Sequence, residues 1–157
     1  LTQRDHVVTI HTDGACDPNP GVGGWAAVLE YKNHYKELTG GDPYTTNNRM
    51  EMTAAIKALE ALKRRSKVVL HTDSEYLQKG ITQWLPGWKR RNWRRKGGEI
   101  KNLDLWQRLD ELTEKHDVEW RWVRGHAGNH LNERCDELAT NEVKKRRKGT
   151  GASEDLC

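Results

Sequence analysis

The sequence predicts a mixed α/β sheet with helices on its faces. Three observations carry that expectation. Two short apolar runs rich in β-branched residues, Val7 to Asp13 and Val68 to Asp73, each close on the tripeptide His-Thr-Asp. Between and after them, apolar residues recur at helical spacing. The segments follow one another as strand meander, helix, strand, helices, strand and helix, with no linker dividing the chain.

Each element has its own signal. Val7 to Asp13 reads as a first strand ending at Gly14. The next stretch, Gly14 to Gly21, is dense in turn residues. Gly23 to Tyr31 reads as a second strand and His34 to Gly40 as a third, joined in an antiparallel meander, with a loop from Asp42 to Thr46. From Asn47 to Arg65 a helix is expected, because Met52, Ala55, Ile56, Leu59 and Leu62 share a face. Lys63, Arg64 and Arg65 suit the negative end of its dipole. Val68 to Asp73 is the fourth strand, and Ser74 can cap a helix from Glu75 to about Thr82. Pro86 and Gly87 interrupt that pattern, so the Trp/Arg stretch after them reads as a separate short helix and loop ending at Gly97-Gly98. Asn102 to Lys115 is a helix with Leu105, Leu109 and Leu112 on one face. Val118 to Val123 is a fifth strand, Gly125 to Gly128 a loop, and Leu131 to about Lys145 the last helix. The Gly/Ser/acidic tail from Gly149 is expected to be disordered, leaving residues 1–148 as one domain.

Composition narrows the class. A chain of 157 residues can bury a real core as one domain. Hydrophobic residues make up 34% and charged residues 32%, so much of the length lies on surface, and no stretch approaches the ~20 apolar residues of a membrane span. Leu1 to Asp5 is polar and shows no secretory signal. Cys16, Cys135 and Cys157 are widely spaced and odd in number, which fits neither a disulfide framework nor a zinc motif. Free thiols point to a reducing compartment, most simply the cytoplasm.

The net charge of +4 is unevenly spread. Between Trp84 and Lys101, the cations Lys89, Arg90, Arg91, Arg94, Arg95, Lys96 and Lys101 face a single acid, Glu99. Trp84, Trp88 and Trp93 are interleaved with them. Cations that meet phosphates beside indoles that pack on sugars or bases make a nucleic-acid surface. The alternative is a solvated helix with its Trp side chains in the core. The run from Lys144 to Lys148 is read as capping the last helix.

If the two His-Thr-Asp strands lie parallel, Asp13 and Asp73 stand together at the carboxyl end of the sheet. Two close carboxylates need a cation or a shared proton; the competing reading is ordinary turn chemistry. Glu51 sits in the first turn of its helix, with Ala55, Ala58 and Leu62 on the same side, so it points partly toward the sheet. Dipole stabilisation is its routine alternative. Asp136 borders the stripe of Leu131, Cys135, Leu138, Ala139 and Val143 and needs a partner, whether a cation or a salt bridge. Together Asp13, Glu51, Asp73 and Asp136 form an all-oxygen set suited to Mg²⁺ or Mn²⁺ rather than Zn²⁺. Two such ions can activate water and stabilise the leaving oxygen of a phosphodiester. His126, on a glycine-flanked loop, could move protons there or be an idle surface side chain.

These residues strongly resemble type 1 ribonuclease H, in particular the bacterial enzymes with a basic protrusion. The matching motifs are TDGACDPNPGVGGW (Thr12 to Trp25), TTNNRMEMTAAIKALEAL (Thr45 to Leu62), TDSEY (Thr72 to Tyr76), GITQWLPGWKRRNW (Gly80 to Trp93), NLDLWQRLD (Asn102 to Asp110) and WVRGHAGNHLNERCDELA (Trp122 to Ala139). The resemblance implies a ribonuclease H-like fold: a five-stranded mixed sheet, strands 1 to 3 antiparallel and strand 4 parallel to strand 1, flanked by helices. It implies endonucleolytic hydrolysis of the RNA strand of RNA/DNA hybrids, with 5′-phosphate and 3′-hydroxyl ends and two Mg²⁺ ions in the active site. Asp13, Glu51, Asp73 and Asp136 fall on the family's metal-binding carboxylates and His126 on its mobile loop histidine. Cys16, Asn19, Asn47 and Asn48 match positions lining the RNA strand, as does Glu75. Thr46 and Asn102 match a DNA-phosphate pocket, and Tyr76 and Trp84 a channel for deoxyribose. Trp88, Lys89, Arg90, Arg91, Trp93, Arg94, Arg95 and Lys96 match the basic protrusion. A monomer is expected.

Two departures stand out. Glu75 occupies a position where bacterial relatives commonly have Gln, and Asn129-His130-Leu131 differs from the usual stretch after the loop histidine. The rival readings are a non-catalytic nucleic-acid-binding module and another nuclease on the same superfold.

Overall fold

The computed structural model describes residues 7–95, 97–124 and 130–155, with side chains described as far as residue 147. Five strands form one sheet in the order β3-β2-β1-β4-β5. They are β1 (Val7–Cys16), β2 (Gly21–Tyr31), β3 (His34–Thr45), β4 (Lys67–Thr72) and β5 (Asp117–Trp122). β1 to β3 are antiparallel, while β4 runs parallel to both β1 and β5. The expected sheet is therefore the observed one.

The alternation along β2 shows why the sheet has helices on both faces. Ala27 and Leu29 turn toward one face and pack with Met52, Ile56 and Leu59 of α1 (Asn47–Glu60) and Leu109 of α4 (Leu103–Lys115). Ala26 and Val28 turn to the other face and meet Cys135 and Ala139 of α5 (His130–Asp155). Successive residues of a strand point to opposite sides, so one β2 segment holds two cores together. Truncating a fully buried leucine such as Leu59 would cost about 2–5 kcal/mol.

Several boundaries differ from those the sequence suggested. β1 and β3 run on to Cys16 and Thr45, because pairing with β2 absorbs the glycines and, across a register shift between Gly21 and Gly23, the segment expected as a loop. α1 stops at Glu60 instead of Arg65. Arg65 does not serve its own helix: its guanidinium donates to the carbonyls of Glu114 and Lys115 at 3.3 and 3.2 Å, at the end of α4. Pro86 does not break the helical path either. α2 (Glu75–Lys79) passes through a π-helical turn over Gly80–Trp84 into α3 (Leu85–Arg90), where Pro86 sits near the start and needs no amide hydrogen. Gly80 is required here, since a Cβ would overlap the Trp106 indole. α5 extends past the expected Lys145 to Asp155, into the stretch expected to be disordered; no proline interrupts it.

Candidate active site

Asp13 and the backbone of Asp73 come together because β1 and β4 are parallel neighbours in register, His11 opposite His71. The two imidazoles stack in parallel at 4.3 Å on the sheet. Two residues further on, β4 has ended, while Asp13 is still paired with Ala26 inside β1. Asp73 lies just beyond β4, where the Trp122 indole donates to its carbonyl at 3.2 Å and Val123 N–H donates to the carbonyl of Thr72 at 2.8 Å. Ser74 then caps α2 through Leu77 N–H at 3.1 Å, as its position in the sequence suggested.

Gly14 brings in the third carboxylate. A Cβ there would collide with the main chain of Met50 and Glu51, so only glycine lets β1 approach α1 this closely. Glu51 is thereby held beside Asp13. Oxygens of Asp13, Glu51 and Asp73 all lie within 4.8 Å of one another. Asp13 and Glu51 are only 4% and 5% exposed. Gly14 N–H donates to Asp13 Oδ1 at 2.9 Å, but Glu51 Oε1 and Asp73 Oδ1 are buried with no hydrogen-bond partner among the described residues.

Such an arrangement penalises negative charge. Burial, and then the charge of Asp73, pushes the Asp13 carboxyl up to about 8. Burial, followed by the charges of Asp13 and Asp73, holds Glu51 well above the usual carboxylate range. Orphaned oxygens, close carboxylates and no nitrogen or sulfur donor are what a hard divalent cation requires. Asp136 of α5 lines the same cleft of about 370 Å³, with Asn47, Asn48, Ser74, Glu75 and Tyr76. Its neighbour Arg134 points away, to Glu37 at 2.7 Å.

The other expected residues divide into groups. Asn47 and Asn48 face the carboxylates; Asn19 accepts from Asn47 N–H at 3.1 Å, and the Cys16 thiol donates to the Thr45 carbonyl at 3.3 Å, so both brace the edge of the cleft. Thr46 caps α1 through Arg49 N–H at 3.2 Å. Asn102 Nδ2 donates to the Tyr76 hydroxyl at 3.0 Å, and Trp84 lies 5.5 Å from the Tyr76 ring. Trp88 packs on Trp106 at 5.8 Å, and Trp93 also rests on the core, while both indoles stay partly exposed. Lys89 is tied to Asp110 and Glu114 of α4 at 2.9 and 2.8 Å. Arg90, Arg91, Arg94 and Arg95 are exposed and form no ion pair among the described residues. His126 and Lys96 lie outside the described residues. Arg49, Asp104 and Trp122 border these groups; each stood inside a motif singled out in the sequence, but none was given a role of its own.

A larger hollow of about 740 Å³ lies between the β2–β3 turn and the α1–β4 link, at the opposite end of the sheet. It shares no residue with the carboxylate cleft.

Carboxylates gathered from two neighbouring parallel strands and two helices, on this sheet, define the class: a nuclease with an acidic, metal-dependent site. The chain matches the RNase H family over residues 5–144. It is 60% identical over 138 residues to the ribonuclease H of Thiobacillus denitrificans, covering 87% of this chain and 93% of that protein. It is 58% identical over 144 residues to the ribonuclease H of Halorhodospira halophila, covering 91% and 97%. Among solved structures, LC9-RNase H1, a type 1 RNase H with the type 2 active-site motif, superposes with a TM-score of 0.81 at 36% identity, over 89% of this chain and 73% of that one. The chain belongs to the RNase H family.

Proposed function

We propose that the protein is an endoribonuclease that hydrolyses the RNA strand of RNA/DNA hybrids, leaving 5′-phosphate and 3′-hydroxyl ends. The observation that carries this reading is the three-carboxylate cluster, with oxygens within 4.8 Å and two of them buried and unpartnered among the described residues. In this reading Asp13 and Asp73 are the central ligands of two divalent cations, with Glu51 and Asp136 completing the sites. Mg²⁺ is the expected ion, and Mn²⁺ can substitute. Bound there, the ions supply charge neutralisation and an activated water at the scissile phosphodiester.

The protein's own residues supply orientation. Asn47 and Asn48 face the cleft with amides that can test 2′-hydroxyls, which DNA lacks. Thr46 and Asn102 offer donors to a phosphate of the DNA strand, and Tyr76 and Trp84 an aromatic wall for its sugars. The exposed arginines after Trp88 add attraction to the phosphate backbone. His126 retains the proton-transfer role that the motif match implies.

The test is cleavage of labelled RNA/DNA hybrid, duplex DNA and duplex RNA side by side in Mg²⁺. Cleavage confined to the RNA strand of the hybrid is the expected result. Binding without cleavage in both Mg²⁺ and Mn²⁺ would establish a binding module instead. Cleavage of duplex DNA would establish another nuclease of the same superfold.

A further inference from the structure

Arg49 occupies an unfavourable place for a cation. It lies three residues after the Thr46 cap, in the positive first turn of α1, where an acidic residue is preferred. That turn contains no acid to offset it, since Glu51, expected in the first turn, falls just beyond it. Its guanidinium instead makes a two-pronged pair with Asp104 of α4, at 3.1 and 2.9 Å. It donates a third bond, at 3.2 Å, to Asn102 Oδ1.

Asn102 is unusual as well. It precedes α4 in a left-handed conformation, φ 61°, and its side chain does not cap that helix. The amide is spent sideways, with Oδ1 on Arg49 and Nδ2 on the Tyr76 hydroxyl. A guanidinium can only donate, so Arg49 dictates which way this amide faces. One Nδ2 hydrogen has no partner among the described residues. The Thr46 hydroxyl accepts from the main chain of Arg49, and its hydrogen has no partner among the described residues. Arg49 thus touches both residues expected to hold the DNA phosphate, one through its backbone and one through its side chain.

We propose that Arg49, neutralised by Asp104, is a positioning residue that presets the Thr46–Asn102 donors for a single phosphate of the DNA strand. This rests on the hybrid-cleaving reading above. The pair is a poor device for stability, since Arg49 and Asp104 side chains are 35% and 65% exposed.

The experiment uses Arg49→Ala and Arg49→Lys on hybrids whose DNA phosphates are replaced one at a time by neutral methylphosphonates. Wild type should show one position where the replacement raises KM. Arg49→Ala should raise KM about tenfold on the unmodified hybrid, the scale of one hydrogen bond to a charged group, with kcat within about twofold. It should also lose sensitivity at that one position. Arg49→Lys keeps the charge but not the fork, so it should leave most of the defect. Full rescue by lysine, an unchanged KM, or retained sensitivity in Arg49→Ala would each overturn the proposal. If wild type cleaves no hybrid, the functional reading fails separately. Equilibrium binding of the same methylphosphonate set then decides the role of Arg49 by the same pattern.

Discussion

Glu51 and Arg49 stand two residues apart on one helix, yet the regions they serve are built on opposite electrostatic terms. Around Glu51, like charges are pressed together and two buried oxygens lack partners among the described residues. Around Arg49, the charge has a counter-ion and the neighbouring amide is held at both ends, with one donor left over. The first region is incomplete without a cation. The second is oriented by the chain itself. A cleft that must accept ions in a fixed geometry benefits from a neighbour that is already rigid, because orientation of substrate then costs little at the moment of binding.

The largest expected effect comes from breaking the first region. Asp13→Asn removes a central ligand, and losing several kcal/mol of charge stabilisation corresponds to roughly 10³-fold or more in rate. The same change relieves repulsion among the carboxylates. Metal-free stability should therefore rise, by roughly 1–3 kcal/mol, even as activity disappears. Kinetics on hybrid and chemical denaturation in chelator check the two halves. Loss of both activity and stability would show that Asp13 is a structural residue.

The pH dependence of the metal-free protein sharpens the same contrast. A carboxyl raised to about 8 in the fold binds more protons than in the unfolded chain across roughly pH 4 to 8. Stability from Asp13 and Glu51 is thus present at low pH and is lost as pH rises. His11 acts in the opposite sense: burial, then the charge of His71, lowers it to about 4, so its contribution grows between about 4 and 6.5. The clean window is pH 6.5 to 8, where thermal midpoints in chelator should fall. Saturating Mg²⁺ should flatten that slope. A midpoint rising across this window without metal would contradict the assignment.

Much of this was legible in the sequence, for reasons that differ by residue. Two β-branched runs ending alike showed that Asp13 and Asp73 would meet if the strands were parallel, and the parallel pairing of β1 and β4 was what the family resemblance implied. Glu51 followed from helical spacing, which placed it on the side facing the sheet. What sequence could not supply was partner choice across the fold. Lys89 reads as one more cation in a basic run, and only the position of Asp110 and Glu114 shows that it is consumed as a tether. Trp88 and Trp93 read as indoles for sugars or bases, and the pattern does not show that each also packs on the core. Arg65 reads as the cap of its own helix but caps another. In each case the local pattern was right about chemistry and silent about direction.

That distinction between spent and free cations gives a smaller effect. Replacing Arg90, Arg91, Arg94 and Arg95 with Ala should raise KM more than it lowers kcat. It should also reduce the log–log salt slope of binding by about 0.7–0.9 for each phosphate that is no longer neutralised. Lys89→Ala should leave the salt slope nearly unchanged and lower stability by about 0.2–1 kcal/mol, since its two ion pairs are partly exposed. A slope that responds to Lys89 as strongly as to an arginine would place it on the substrate.

Glu75 joins the two regions, and its effect should be the smallest. It follows Asp73 by two residues in the acid cleft and precedes Tyr76 of the aromatic wall. Its carboxylate is 63% exposed and 3.7 Å from Lys79, so its field is well screened. An added negative charge at the cleft should repel the hybrid and attract cations. Glu75→Gln removes both effects together. The KM for hybrid should fall, and the Mg²⁺ concentration for half-maximal rate should rise, each by less than about fivefold for a charge this exposed. Both changes should shrink in high salt, where the Debye length shortens. A KM that instead rises, with no dependence on salt, would mean that Glu75 accepts a hydrogen bond from the RNA, and the cleft would then read 2′-hydroxyls with a carboxylate as well as with its asparagines.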